Sequence, residues 1–478
     1  MIFLATKVKL DFRLVAKYFF WIIFYNLAPK LQCNFIMTTK NQTKKKLTFY
    51  FLTTKIKLDF RLVAKRGFMN YIKRAITPIL QKRIESTKCV LVTGPRQVGK
   101  STLIKHDFPY FNKANFDDRL TRLQAKEEPK LFFLNNPCPL FIDEVQKEND
   151  ILEEIKLKVD ESDKMGMFIL SGSQKLELMK GMSESLAGRV AITELAGLSL
   201  REIFNIDFNK HFVPTDEYLK ERENELKTYS DLWKIIHTGS YPEMYNSQRD
   251  WQEYYSSYVS TYLERDINEL ISTDSITFTK FLTSVAARTG EILNYANIAS
   301  EVGISEPTIK NWISILERTG IVYLLQPYSA SVLSRAIKSP KIYFRDTGLA
   351  CYLTRWLTPD ALKNSAVAGN MFETFVVAEI SKSYINEGKD YRFNIFYYRG
   401  KDKNAKSENE IDLILEENGI LYPIEIKMTG NPKSSMGATN QILDKIPEKS
   451  RGMGVILCLT DKKLYLRENL LALPIEYL

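Results

Sequence analysis

The feature that most constrains this chain is a junction. An apolar strand pattern, KCVLVT at residues 88–93, runs into GPRQVGKST and continues in helical fashion as LIKHDF. Gly94, four intervening residues, then Gly99, Lys100 and Ser101 meet the P-loop spacing. Glycines let backbone N–H groups wrap a phosphate, and the following helix N-terminus adds positive potential. Pro95, Arg96, Gln97 and Val98 complete the expected cradle, and Thr102 continues the first helical turn. Lys100 is expected on the β and γ phosphates and Ser101 on Mg²⁺, so ATP with Mg²⁺ is the expected ligand. A strand, loop and helix in this order also predict an α/β fold with a parallel sheet.

Two later strand patterns fit the same site. PLFIDEVQK (139–147) is an apolar run ending in two acids, as expected of a buried parallel strand delivering carboxylates to its C-terminal edge. Asp143 is then the water-mediated partner of magnesium, and Glu144 the base that orients the attacking water. A further strand, MFILSGSQ (167–174), ends in small polar residues where a sensor of the γ-phosphate would sit, with Ser173 and Gln174 as the candidates. Next comes SLAGRV, in which Arg189 can contact the γ-phosphate in cis, reach a neighbouring subunit as an arginine finger, or simply cap a helix on the surface.

Composition narrows the chemistry. The five cysteines (33, 89, 138, 351 and 458) form no CxxC pair, which argues against a disulfide framework or a thiolate zinc site and fits a reducing cytoplasm. His106, His211 and His237 are not paired at ligand spacing, so catalysis is left to carboxylates, lysines and hydroxyls. The net charge of +10 is local: residues 1–68 hold 14 Lys/Arg against 2 Asp/Glu, leaving 53 against 55 in the rest. That segment repeats itself, KVKLDFRLVAK at 7–17 and KIKLDFRLVAK at 55–65, and two copies do not build a solenoid. Between them YFFWIIFYNLA (18–28) is too short for a membrane span, so no stable span is expected; a signal-like or interfacial role is the alternative. Residues 1–68 read best as an extension foreign to the fold, upstream sequence read in frame, with Met69 as the natural start.

Residues 281–325 read as helix, helix, turn, helix and strand, the order of a winged helix. Gly303 and Ser305 make the turn, Glu306 and Pro307 open the third helix, and Ile309, Trp312, Ile313 and Leu316 form its buried stripe. Thr308, Lys310 and Asn311 face the major groove if this helix reads DNA. Acids offset its few cations, so phosphate attraction is weak, and a structural or protein-docking role stays open. Further on, NEIDLILEENGILYPIEIKMTG (409–430) reads as two strands joined at Asn418-Gly419. Asp412 lies on the first strand, and Glu425 and Lys427 share one face of the second. An acid followed about a dozen residues later by Glu-x-Lys is the PD-(D/E)XK layout, although a solvated, salt-bridged hairpin carries the same residues.

GPRQVGKST, FIDEVQ, LSGSQ and SLAGRV, in that order, resemble the AAA-type core of a large group of prokaryotic ATP-binding proteins. The likeness continues through LSLREI (198–203), GSYPE (239–243), YLERDI (262–267), AARTGEILNYANIA (286–299), KIYFRDTGLACYL (341–353) and MFETFVVAEI (371–380). It implies an ATPase core at 69–205, a helical connector at 206–274, a winged helix at 275–330 and a restriction-endonuclease-like domain at 331–478. It also implies a second divalent ion at Asp412 and Glu425 with Lys427, and Glu373, on the preceding amphipathic helix, as the additional acid. The expected function is an ATPase moving a winged-helix and nuclease-like module on DNA. The alternative is a nucleotide switch acting on a protein partner, with a C-terminal domain that binds without cutting. Oligomeric state stays open.

Overall fold

The computed structural model describes residues 6–11, 46–51, 71–172, 186–229, 231–247, 249–267, 273–329, 339–400 and 409–478. The chain divides into two units, Met1–Asn70 and Tyr71–Leu478. In the first, β1 (Thr6–Asp11) pairs antiparallel with β2 (Lys46–Phe51). The apolar run 18–28, the second repeat copy and Met69 lie outside the described residues. Among the described residues no helix is long and apolar enough to cross a membrane.

The second unit opens with α1 (Thr77–Ser86) and β3 (Cys89–Thr93), whose five residues are all buried, as expected of a strand covered on both faces. The P-loop follows, then α2 (Lys100–Asp107). β4 (Asn112–Asn115), β5 (Leu140–Asp143), α3 (Ile151–Asp160), β6 (Phe168–Ser171) and β7 (Val190–Glu194) complete a five-stranded sheet. Its order is β4-β5-β6-β3-β7 and every pairing is parallel. The parallel α/β class expected from the junction is therefore the class of this domain.

A helical region follows, including α4 (Trp251–Tyr258), α5 (Ser275–Ala286), α6 (Tyr295–Val302) and α7 (Glu306–Arg318). Ser305 caps α7 by accepting from Thr308 N, with Pro307 in the first turn. Ile309, Trp312, Ile313 and Leu316 are buried. Trp312 meets Phe281 edge-on with ring centroids 5.1 Å apart, locking α7 onto α5. A small antiparallel sheet of β8 (Glu291–Ile292), β9 (Val322–Leu325) and β10 (Lys341–Phe344), in the order β8-β10-β9, flanks these helices. β10 lies beyond residue 330, where the sequence reading ends this region, yet it bonds back to β8 and β9.

Asp346 ties two of the sequence motifs together. It caps α8 (Thr347–Leu353) through Leu349 N at 2.7 Å, and it accepts from Ser240 Oγ at 2.8 Å and Tyr255 Oη at 2.7 Å. This buried carboxylate thus finds its partners in GSYPE, α4 and its own turn.

The C-terminal region has α9 (Ala368–Asn386) against a mixed sheet of β11 (Ile395–Gly400), β12 (Asn409–Glu417), β13 (Ile420–Lys427), β14 (Ser450–Arg451), β15 (Gly454–Cys458), β16 (Leu464–Arg467) and β17 (Leu470–Pro474). The order is β11-β12-β13-β15-β17-β16, with β14 beside β13; β13, β15 and β17 run parallel. Asn418 (φ 51°) and Gly419 (φ 80°) form the β12–β13 turn, the left-handed pair that a tight hairpin requires. The expectation of an amphipathic helix carrying Glu373 is corrected: α9 is buried on nearly every face, because it sits between this sheet and the P-loop domain.

Candidate functional site

Gly94 begins the P-loop with φ +140°, and a Cβ there would lie 2.1 Å from the carbonyl oxygen of Leu195, so no other residue fits without moving the loop. Gly99 (φ +95°) turns the chain into α2. Lys100 is buried, and its Nζ donates to the carbonyls of Gly94 and Pro95, both at 2.9 Å. Burial pushes its ammonium down to about 8, against the opposing pull of Glu144 and Asp143. Ser101 Oγ donates to Asp143 Oδ1 at 2.8 Å, Ser171 Oγ donates to the same oxygen, and Lys105 Nζ stands 3.5 Å from Asp143 Oδ2. Glu144 takes a left-handed backbone (φ 57°, ψ 43°), rare for a residue with a side chain, and its carboxylate accepts from Gln146 Nε2. The Arg96 guanidinium lies 5.1 Å from the ring centroid of Tyr262.

A hydroxyl facing a carboxylate beside the P-loop is a donor set that suits a magnesium-bound nucleotide: Ser101 would offer an oxygen to the ion, and Asp143 would accept from a water on it. When bound, the ion neutralises charge on the phosphates.

Lys100 makes the site pH-dependent. In the free protein its proton leaves at about 8, whereas the unfolded chain keeps it up to about 10.5, so stability of the free protein is expected to rise with pH between the two. Triphosphate needs the charged form. Nucleotide affinity is therefore expected to fall as pH rises above about 8, and binding at pH 8 to take up about half a proton. Titration calorimetry in two buffers of different ionisation enthalpy measures this; identical heats in both would rule it out.

Arg189 is placed away from the phosphates. The register pairs Cys89 with Val190 and Thr93 with Glu194. Arg189 therefore sits at the N-terminal edge of the sheet, about 13 Å of strand away from the edge that carries the P-loop. There it grips Asp160 with two hydrogen bonds, 2.6 and 3.0 Å. A cis contact with the γ-phosphate is not made from this position. Ser173 and Gln174 lie outside the described residues, but Ser171, two positions earlier, reaches Asp143 because β6 lies between β3 and β5. That strand order is the information the sequence reading lacked.

Sequence reading also missed the support beneath the loop. Arg74, 3 % exposed, donates from Nη1 to Val98 O (2.8 Å), from Nη2 to Ala196 O (2.7 Å) and from Nε to Glu202 Oε1 (2.9 Å). Nothing around Arg74 in the sequence resembles a motif, so only the fold reveals it.

In the C-terminal domain, Asp412 Oδ2 accepts from Ile426 N (2.8 Å) and from Lys427 Nζ (2.7 Å), and Lys427 Nζ also lies 2.9 Å from Glu425 Oε2. Burial, reinforced by Asp412, pushes the Glu425 carboxyl up to about 8. Glu373 is turned elsewhere: it accepts from Tyr343 Oη (2.6 Å) and Lys341 Nζ (3.2 Å), and Lys341 also pairs with Glu410 (2.6 Å). Among the described residues no three His, Cys, Asp or Glu side chains are grouped to hold a metal ion. Of the expected metal set, Asp412 and Glu425 share Lys427, while Glu373 is held by Lys341 and Tyr343 and still feels the Asp412 charge.

Fold and site define an α/β protein with a P-loop nucleotide-binding core. Residues 86–204 match the family model described as "AAA domain", and residues 229–360 and 368–478 each match a model described as a domain of unknown function (DUF8612 and DUF4143). The chain is 28% identical over 375 residues to uncharacterized protein Rv2008c of Mycobacterium tuberculosis, covering 76% of each chain. It is 25% identical over 410 residues to uncharacterized protein MJ1637 of Methanocaldococcus jannaschii, covering 74% of this chain and 84% of that one. Among solved structures, a Walker-type ATPase of Pyrococcus abyssi overlaps 59% of this chain and 96% of its own, at 13% identity and a TM-score of 0.36. A RuvB variant of Thermotoga maritima overlaps 52% and 88%, at 16% identity and 0.27.

Proposed function

We propose that the protein binds ATP with Mg²⁺ at the P-loop and hydrolyses it, and that the nucleotide state works on the helical middle and the C-terminal domain, with DNA as the target. The observation that carries the hydrolysis is the Ser101–Asp143 hydrogen bond at the mouth of a loop holding a buried lysine. Lys100 moves from the Gly94 and Pro95 carbonyls onto the β and γ phosphates, Ser101 and Asp143 hold the ion and its water, and Glu144 orients the attacking water. Arg189, held by Asp160 at the far edge of the sheet, is left in this reading either to serve a neighbouring copy's nucleotide or to act at the surface alone.

The DNA target is supported by three helices with a small antiparallel sheet, the arrangement of a winged helix, and by the spacing of Asp412, Glu425 and Lys427. A second reading, a switch acting on a protein partner, has its own support. Lys310 is held by Glu306 at 2.7 Å, and Lys427 is closed over both acids, so the cations that would meet phosphate are already paired.

ATP turnover with and without single-stranded, duplex and branched DNA, in Mg²⁺ and in Mn²⁺, separates the two. Stimulation by DNA, with nicking that disappears in Asp412→Ala, is the expected result for the first reading. Turnover indifferent to every DNA moves the assignment to the protein-directed switch.

A further inference from the structure

The loop that supports the P-loop is itself held by the C-terminal region. Leu195–Leu200 passes directly under Gly94, whose missing Cβ leaves room for the Leu195 carbonyl, and Leu195 N donates to Thr93 O at 2.8 Å. From this layer a chain of buried polar contacts runs in both directions. Towards the nucleotide, Arg74 holds Val98 O and Ala196 O. Away from it, Arg74 pairs with Glu202, whose other oxygen accepts from Ser199 N at 2.7 Å and closes the capping box of the short helix Leu200–Ile203.

The next backbone N–H, that of Leu200, is satisfied by α9: Glu379 Oε2 accepts from it at 2.8 Å. Lys382, one turn further on, donates to Leu198 O at 2.9 Å and to Glu379 Oε1 at 2.7 Å. Arg74, Ser199, Glu202, Glu379 and Lys382 are each at most 6 % exposed. Buried groups of this kind lack water as an alternative partner, so moving one member obliges the others to move or go unpaired.

We propose that Glu379, which lies some 280 residues beyond the P-loop in sequence and touches no part of it, is a positioning residue for the nucleotide site. By fixing Leu200 it fixes the capping box, by the box Arg74, and by Arg74 the Val98 carbonyl, so that the cradle has its binding shape only while α9 is docked. The proposal rests on the reading of the P-loop as an ATP site.

The test is steady-state ATP turnover and thermal melting for the full chain and five variants. Glu379→Ala is expected to raise KM for ATP about tenfold with kcat within about threefold, the pattern of lost binding that is common to ground and transition state. Glu379→Gln, which keeps an acceptor for Leu200 N, is expected to recover most of that loss. Ile380→Ala, a core truncation on the same helix, lowers the melting temperature but leaves KM unchanged, which separates positioning from plain destabilisation. A wild-type KM in folded Glu379→Ala overturns the proposal. Should Glu379→Ala not fold, Glu379→Leu with Lys382→Leu removes both buried charges together; a raised KM there is expected, and a wild-type KM overturns the proposal. Lys100→Ala tells the two failures apart. If it matches the wild type because neither turns over ATP, the ATP reading falls and the proposal with it; if it is dead while Glu379→Ala is normal, only the positioning role falls.

Discussion

Lys100→Ala is expected to reduce ATP turnover by about 10²–10³-fold or more, the size of effect seen when one preorganised positive donor to developing charge is removed. The fold should survive, because the ammonium is buried at a cost, and burial already drives its proton affinity down to about 8. Losing it leaves the Gly94 and Pro95 carbonyls short of a donor, a modest penalty set against relief of that desolvation. The melting temperature of the nucleotide-free variant should therefore stay near that of the wild type, while the rise produced by ATP and Mg²⁺ in the wild type disappears. Normal turnover in this variant would end the ATPase assignment, and an unaltered response of melting to nucleotide would show that Lys100 does not hold the nucleotide.

The second large effect falls on stability. Arg74→Ala strands Glu202 as a buried carboxylate without its cation and takes donors from two buried carbonyls, Val98 and Ala196. Breaking one side of a buried pair costs about 3–5 kcal/mol, and chemical denaturation should show a midpoint shifted accordingly. Glu202→Leu made on top of Arg74→Leu should recover part of the loss by removing the stranded charge. Recovery stays partial because Ser199 N and Ala75 N also rely on the Glu202 carboxylate. A denaturation midpoint unchanged in Arg74→Ala would mean that this pair contributes little.

What the sequence disclosed follows from how local each feature is. The strand, loop and helix around Gly94 are consecutive, as are the stripe on α7 and the Asn418-Gly419 turn, so spacing alone conveys them. Ser171 carries no signal of its own in the sequence, because its contact with Asp143 depends on β6 lying between β3 and β5, a non-local order. Spacing alone leaves Arg189 open between a cis contact, a neighbouring subunit and the surface, because its distance from the phosphates depends on the parallel register with β3, which puts it at the far edge. The helix bearing Glu373 was read as amphipathic because nothing in its own residues announces a second buried face. The roles of Arg74, Glu202 and Glu379 depend on contacts more than 100 positions apart, which no single-sequence pattern encodes.

The docking of α9 also bears on how such a chain can change over generations. Its three matched segments look like interchangeable cassettes, yet a recombination event that replaced the last one would deliver a foreign helix to Leu198 and Leu200. Unless that helix brought an acceptor and a donor at the same two heights, the P-loop half would inherit a gap beneath Leu195–Leu200. If the Glu379 proposal holds, change in this architecture is channelled away from swapping the C-terminal region and towards its solvent-facing edges.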